Sequence, residues 1–438
     1  MDLSAFLELL QQQNELHQIT ATVSCDLELA ALSRLEFSKP GGGKALLFSQ
    51  LQNTDISGVT NLFGSQKRLL NILRCKSTNQ LAARFKSALL QVPVRLGSKR
   101  EIVCASQSEL SLVHKIKLTD LPAIRSWPGE KGRYLTLALT VTADPEGGAI
   151  NLGLYRAEIV ADNKIALNFA PKSGAGRHLQ AASKLGKNLP VALFLGGDPA
   201  YLYSAAAPLP AEYSEFDFSA AAFGTENRFV SCYSQNLVVP VTAELVIEGY
   251  IDPSQRCQEG PFGNHTGQYV SRKDCPLLQV TAIAKKSEPI LPITVVGPPP
   301  SENVNLGKAN EILVGEMLKI DYPQIIDLQM PLETIFHGVS LISVRHPEQN
   351  ANRELIDALW HNSPLKQARL LVLLDEDIEL GDRSQCWWRC INLLNGSKIY
   401  QDRGRIAIDA TGVDLKSLVR EDRHTKELLK NRMREYNF

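Results

Sequence analysis

The sequence carries no surplus charge: 47 basic side chains offset 47 acidic ones over 438 residues. Bulk attraction to nucleic acid or to an anionic membrane surface is therefore not expected. There is no uninterrupted apolar run of about 18 residues, which excludes an expected transmembrane helix. Met1 to Gln13 lacks the basic start and unbroken apolar centre of a signal peptide; with Leu3, Phe6, Leu7 and Leu10 on one side it reads as an amphipathic helix. The eight cysteines include no C-x-x-C pair, so they read as reduced thiols of a cytoplasmic protein rather than as a zinc site or a disulfide framework. Cys386 and Cys390, beside Trp387 and Trp388, suit a buried helix face. The P-loop and dinucleotide-binding patterns are both absent, as are internal repeats.

What is present is an ordinary globular composition, 44% hydrophobic and 21% charged, in a chain long enough for two or three domains. Residues 1–118 alternate helix and strand, as in a small α/β domain. A Pro/Gly-rich link, Asp120 through Gly129, then changes the texture. Over 119–305 strands predominate: Tyr134 to Thr142, Ile150 to Val160, Lys164 to Phe169, Val191 to Leu195, Val239 to Ile247 and Leu277 to Ala284. Helical inserts are expected near Leu179 to Leu185 and Glu215 to Phe223. A split or twisted antiparallel barrel fits this section. Gly297-Pro298-Pro299-Pro300 ends it, and 306–438 is again α/β, finishing in a charged helix from Leu415 to Tyr436.

Several stretches carry side chains fit for chemistry. Glu259-Gly260-Pro261-Phe262-Gly263-Asn264-His265-Thr266-Gly267-Gln268-Tyr269 follows a strand and has too much glycine and proline for a helix. A tight loop is expected, with a carboxylate at its start and an Asn-His pair at its end. Asn151-Leu152-Gly153-Leu154-Tyr155-Arg156 falls on a probable strand, where the odd spacing points Asn151 and Arg156 to opposite faces unless a bend intervenes at Gly153. The Arg156 guanidinium is a planar, permanently charged fork that matches a substrate carboxylate, although an arginine on a strand also suits a structural ion pair. Pro171 through His178 is a basic, glycine-rich loop opening a helix, a weak phosphate-binding signal. Asn151, His178 and Glu215 together offer N and O donors for a hard cation such as Mg²⁺ or Mn²⁺; spacing alone does not establish that they meet.

In order and spacing these stretches resemble the UbiD family of prenylated-FMN-dependent decarboxylases over nearly the whole chain. The resemblance is carried by Asn61-Leu62-Phe63-Gly64, Trp127-Pro128-Gly129, Asp144-Pro145, the Asn151–Arg156 run, Leu195 through Ala200, Ser214-Glu215, Ile247 through Tyr250, and Glu259 to Tyr269. It implies an N-terminal α/β domain (1–118), a central split-barrel flavin-binding domain (119–305) and a C-terminal α/β oligomerisation domain (306–438) in a dimer or hexamer. It implies prenylated FMN supplied by a flavin prenyltransferase of the UbiX type, with its phosphate held through Mn²⁺ and with K⁺ nearby. By position the metal ligands would be Asn151, Glu215 and, in the 172–178 loop, His178. Further cofactor contacts would come from Leu154, Tyr155, Arg156, Ser173, Gly174, Arg177 and Arg369.

The family's catalytic trio is Glu-Arg-Glu/Asp; here Arg156 and Glu259 match two members, and the third position is Asn264. A carboxamide has the shape of a carboxylic acid but no usable proton, and losing a general acid typically costs about 10²–10⁴-fold in rate. Glu259 shuttling the proton alone, the His265 imidazole standing in, and a weakened or accessory paralogue that binds flavin or a partner subunit without turnover all remain open. The expected activity is reversible, non-oxidative decarboxylation of an aromatic or α,β-unsaturated acid, in quinone biosynthesis or aromatic acid metabolism. A flavin reductase would leave Arg156 and Glu259 without a task.

Overall fold

The structure, a computed structural model, describes residues 1–91, 101–113, 117–334, 338–345, 351–392, 394, 396–412, 419 and 422–436. It forms two compact units, Met1–Met317 with Leu332–Phe336, and Leu318–Pro331 with His337–Phe438.

In the first unit Asp2 caps the helix Leu3–Gln12, which buries the expected Leu3, Phe6, Leu7 and Leu10. A four-stranded sheet follows in the order Leu16–Ile19, Ala45–Phe48, Ser57–Thr60, Ile290–Ile293. Its last strand comes from far along the chain and pairs in parallel with Ser57–Thr60.

The centre of this unit is a nine-stranded sheet. Eight of its strands are β1 (Arg133–Leu135), β2 (Leu139–Ala143), β3 (Ile150–Leu154), β4 (Ala157–Ala161), β5 (Lys164–Leu167), β6 (Leu189–Leu195), β7 (Leu245–Gly263) and β8 (Tyr269–Lys285). They lie in the order β1-β4-β5-β8-β7-β6-β2-β3, and Ser111–Leu112 pairs with β8. The order explains the curvature. β3 is at one end and β4 next to the other, yet only Tyr155 and Arg156 connect them. Two residues span so little that the sheet must curl until its ends nearly meet, leaving a split barrel. Alternating apolar positions, including Leu135, Ile165, Val191, Leu193 and Ile247, fill its inside.

Two sequence expectations change here. Ile150 to Val160 is not one strand: it breaks at Tyr155-Arg156, two residues beyond Gly153, because its halves pair with different edges. Glu259 to Gly263 is not loop: it continues β7 against β8, and only Asn264 to Gln268 turns. Register shifts on both sides of Glu259 absorb the glycine and proline that argued against regular structure.

The second unit carries a five-stranded sheet, Ile325–Gln329, Val339–Val344, Leu370–Asp375, Arg405–Ala410, Ile399–Asp402, in that order. Helix Arg383–Asn392 buries Cys386 and Cys390 and exposes Trp387 and Trp388. All eight cysteines are free thiols. The terminal helix runs Arg423–Arg432; residues 415–418, 420 and 421 of the expected longer helix lie outside the described residues. Among the described residues no helix is long and apolar enough to cross a membrane.

Candidate active site

Arg156 stands at the split, where the chain passes from β3 to β4. Its Nε donates to Oε1 of Glu259 and its Nη2 to Oε2 at 2.7 Å, a two-pronged pair. Glu259 is fully buried, while the arginine side chain is 22% exposed. Asn168 Nδ2 adds a bond to Glu259 Oε2 at 3.0 Å, and Arg272 reaches Asn168 Oδ1 at 3.3 Å. The Phe262 ring lies under the guanidinium at 4.8 Å. Nη1 has no protein acceptor among the described residues. A buried carboxylate thus holds a guanidinium rigid and leaves its outer edge, the one that reaches solvent, to a further anion.

Two more carboxylates, not anticipated from the sequence, fix the strand that carries Glu259. Glu158 accepts the Gly260 N–H at 2.8 Å. Glu130 accepts three backbone N–H groups, from Gly263 at 2.9 Å, Ser126 at 2.6 Å and Trp127 at 3.2 Å. Both are buried, and burial raises both carboxyls, against the pull of those N–H donors. The only sequence trace was spacing: Glu158 is two residues from Arg156 at a strand edge, and Glu130 follows Trp127-Pro128-Gly129.

Asn264 is not gathered into the Arg156–Glu259 cluster. Its Oδ1 accepts from the Thr266 amide at 2.9 Å and the Thr266 hydroxyl at 2.6 Å, which makes it a turn-closing residue of the β7–β8 hairpin. His265 is half-buried in the same turn.

The three cation candidates each lie against β3 or its neighbour β2. Asn151 pairs in register with Thr142, whose hydroxyl meets His178 Nδ1 at 2.9 Å. Glu215, at the first turn of helix Glu215–Phe223, accepts the N–H of Leu152 at 3.0 Å. Burial pushes its carboxyl up to about 7, with Arg177 the positive charge that opposes the shift. Burial lowers His178. Nδ2 of Asn151 is buried without a partner, and a Cβ on Gly174 would overlap Oδ1 of Asn151. An amide, an imidazole with one nitrogen already oriented, and an under-compensated carboxylate suit a hard cation. Among the described residues no three His, Cys, Asp or Glu come together as a metal set, so any cation held here would need the Asn151 amide.

Ser173 caps the helix Gly174–Lys184 through Gly176 N–H, and Arg177 bonds the Lys172 carbonyl with its side chain exposed. The Tyr155 hydroxyl accepts from Ala175 N–H at 3.3 Å, tying the β3–β4 break to this helix. Leu154 is half-buried beside it. Arg369 belongs to the second unit, exposed, just before strand Leu370–Asp375.

Three consecutive segments match one family: residues 7–86 the 3-octaprenyl-4-hydroxybenzoate carboxy-lyase N-terminal domain, 98–299 its Rift-related domain and 304–404 its C-terminal domain. An uncharacterised protein of Archaeoglobus fulgidus is 31% identical over 400 residues, spanning 88% of this chain and 83% of the relative. One of Aquifex aeolicus is 32% identical over 404 residues with the same coverage. Among solved structures, the vanillic acid decarboxylase of Sedimentibacter hydroxybenzoicus in closed form has a TM-score of 0.87 at 22% identity, over 99% of this chain and 98% of that one. An evolved dimeric form of the UbiD-class enzyme HmfF from Pelotomaculum thermopropionicum, in complex with prFMN, has a TM-score of 0.83 at 22% identity, over 97% and 98%. By sequence and by fold, the chain belongs to the UbiD family of carboxy-lyases.

Proposed function

We propose that this protein is a prenylated-FMN-dependent decarboxylase of an aromatic or α,β-unsaturated carboxylic acid. The observation that carries the reading is the Arg156–Glu259 pair: a guanidinium locked by a buried carboxylate, its Nη1 edge unclaimed, at the split of the barrel. That edge grips the substrate carboxylate as a fork, and immobilising it removes much of the orientational entropy from the reaction. The apolar ring of Phe262 beneath the guanidinium limits its hydration and strengthens the ion pair.

Asn151, His178 and Glu215 would hold Mn²⁺ for the cofactor phosphate, with K⁺ nearby; Ser173, Gly174 and Arg177 would border the phosphate, and Leu154 and Tyr155 the ring system. Bound there, prenylated FMN would supply the electron sink for the carbon left by CO₂ loss. Arg369 is a further candidate for the phosphate. The three segments 1–118, 119–305 and 306–438 are assigned to the N-terminal, cofactor-binding and oligomerising roles. A UbiX-type flavin prenyltransferase would supply the cofactor to a dimer or hexamer. Quinone biosynthesis and aromatic acid metabolism are the settings that fit this chemistry.

Asn264 favours a second reading, a relative that binds flavin without turnover, because its amide is spent on Thr266. The test is anaerobic CO₂ release by protein co-expressed with a flavin prenyltransferase, against aromatic and acrylic acids. Release abolished in Glu259→Gln supports the decarboxylase. No release from the wild type, with turnover in Asn264→Asp, supports the binding-only relative.

A further inference from the structure

Loss of CO₂ leaves an electron pair on carbon, and a proton must be delivered to it. Three side chains on or beside the Glu259–Gln268 segment are poor stores. Asn264 has no acidic proton and caps a turn. Glu259 already receives three N–H donors on its two oxygens, from Arg156 twice and from Asn168, which leaves little room for a proton. Glu130 is likewise filled by three backbone N–H groups.

Glu158 differs from all of these. It is buried, it sits two residues after Arg156 on β4, and it accepts one backbone N–H, that of Gly260, adjacent to Glu259. Gly132 makes the space for it, since a Cβ there would overlap Oε1 of Glu158. Tyr134 lies directly across the strand pair, its buried hydroxyl close enough to the Glu158 carboxyl to act on it as a donor. The charged and titratable groups that face Glu158 are Glu259 and Cys257 on β7, Tyr134 on β1 and Arg156 at the start of its own strand.

We propose that Glu158 holds the proton for decarboxylation in this chain and passes it through Glu259, the role that Asn264 cannot fill. The inference rests on the decarboxylase reading. The bond from carbon to carboxylate breaks, CO₂ leaves and the electron pair stays on carbon. Glu158 hands its proton to Glu259, which carries it only in transit and delivers it to that carbon as the C–H bond forms. Glu158 is then recharged by water, so no oxidant or reductant enters. Burial, reinforced by the charge of Glu259 and opposed by the Gly260 N–H, the Tyr134 hydroxyl and the charge of Arg156, raises the Glu158 carboxyl, as a proton store requires. Glu158 acts through Glu259 and is a positioning and relay residue rather than one that touches substrate.

The test compares Glu158→Gln with Glu130→Gln, both of which keep an oxygen for the backbone N–H groups. Infrared difference spectra of wild type minus Glu158→Gln should contain a protonated-carboxyl band that persists above the ordinary carboxylate range. In the loaded enzyme Glu158→Gln should slow CO₂ release by about 10²–10⁴-fold and remove one limb of the pH profile, while Glu130→Gln leaves that limb in place. Equal losses in both variants with an unchanged pH profile would overturn the proposal, since Glu158 would then merely hold the strand. So would the absence of the band together with normal turnover in Glu158→Gln. The band with no CO₂ release from any acid would instead overturn the decarboxylase reading and leave the stored proton established.

Discussion

Arg68 and Arg156, both in the first unit, are each locked by a carboxylate, and only Arg156 is open to a ligand. Arg68 has no exposed side-chain surface; it bonds the Asn61 carbonyl through Nε, and Glu15 and the Gly43 carbonyl through Nη1, each of the latter at 2.7 Å. Its Nη2 lacks a hydrogen-bond partner but is sealed in. Arg156 is held as firmly, by Glu259, yet its unclaimed edge opens outward from a break between strands. Burial of an arginine–carboxylate pair is therefore no sign of function. What distinguishes the two is whether the spare N–H groups are sealed in packed protein, where they cost stability, or belong to a partly exposed side chain, where an anion can complete them.

The largest expected effect separates the two on activity. Arg156→Lys keeps the charge but loses the fork, and should lower kcat/KM for CO₂ release by about 10²–10³-fold, the loss typical when one aligned donor is removed. The unfolding midpoint in urea should move little by comparison. Glu15→Gln should do the reverse. It leaves the Arg68 charge buried with carbonyl partners only, at a cost of about 3 kcal/mol, toward the low end for breaking a buried pair because Glu15 is partly exposed. Specific activity of the folded fraction should be unchanged. Equal activity losses in the two variants would erase the distinction.

The pH dependence of stability sharpens the comparison around Arg68 itself. Burial opposes the charge on Glu15, but hydrogen bonds from Lys67 and Arg68 win and hold it below the ordinary range. Its stabilisation is present above the unfolded chain's carboxylate range and is lost as pH falls through the lowered native value. Glu302 has the opposite sign. Fully buried, with Oε2 accepting from Phe63 N–H at 3.1 Å, it is raised chiefly by burial, against the pull of the Thr294 hydroxyl and of backbone N–H groups. In the window above the ordinary range the native state keeps a proton that the unfolded chain has released, so stability falls as pH rises. Glu302→Gln should remove that decline, and Glu15→Gln should remove the loss on the acid side. Denaturant midpoints measured across both windows would read the two slopes separately.

How much of this was legible beforehand depended on whether the information was local. Helix Leu3–Gln12 followed from apolar spacing, and Glu215–Phe223 fell where a helical insert was expected, both matters of neighbouring residues. Arg156 and Glu259 were found because ordered motifs name them. The clamps were not. Glu158 and Glu130 act on backbone N–H groups more than 100 positions away in sequence, and only the register of the curled sheet brings them there. The same tertiary pairing turned Glu259–Gly263 from an expected loop into strand, overriding local glycine and proline. Position alone suggested Asn264 as an active-site side chain. A cue to its actual contacts was nonetheless present, since Asn-x-Thr-Gly is turn chemistry.

That turn yields the smallest prediction. Thr266 donates twice to Asn264 Oδ1, once from its amide and once from its hydroxyl. Thr266→Val keeps the amide bond and the β-branched shape but removes the hydroxyl bond. Because the turn is exposed, water replaces part of what is lost, and the cost should be about 0.5–1 kcal/mol, near the net value of one hydrogen bond. The hairpin should keep its register, which is set by the pairs Gly263 with Tyr269 and Phe262 with Val270 rather than by the turn. The informative readout is activity. If Asn264 is only a turn residue, CO₂ release in Thr266→Val stays within twofold of wild type, whereas a larger change would mean that a released amide enters the chemistry at Arg156.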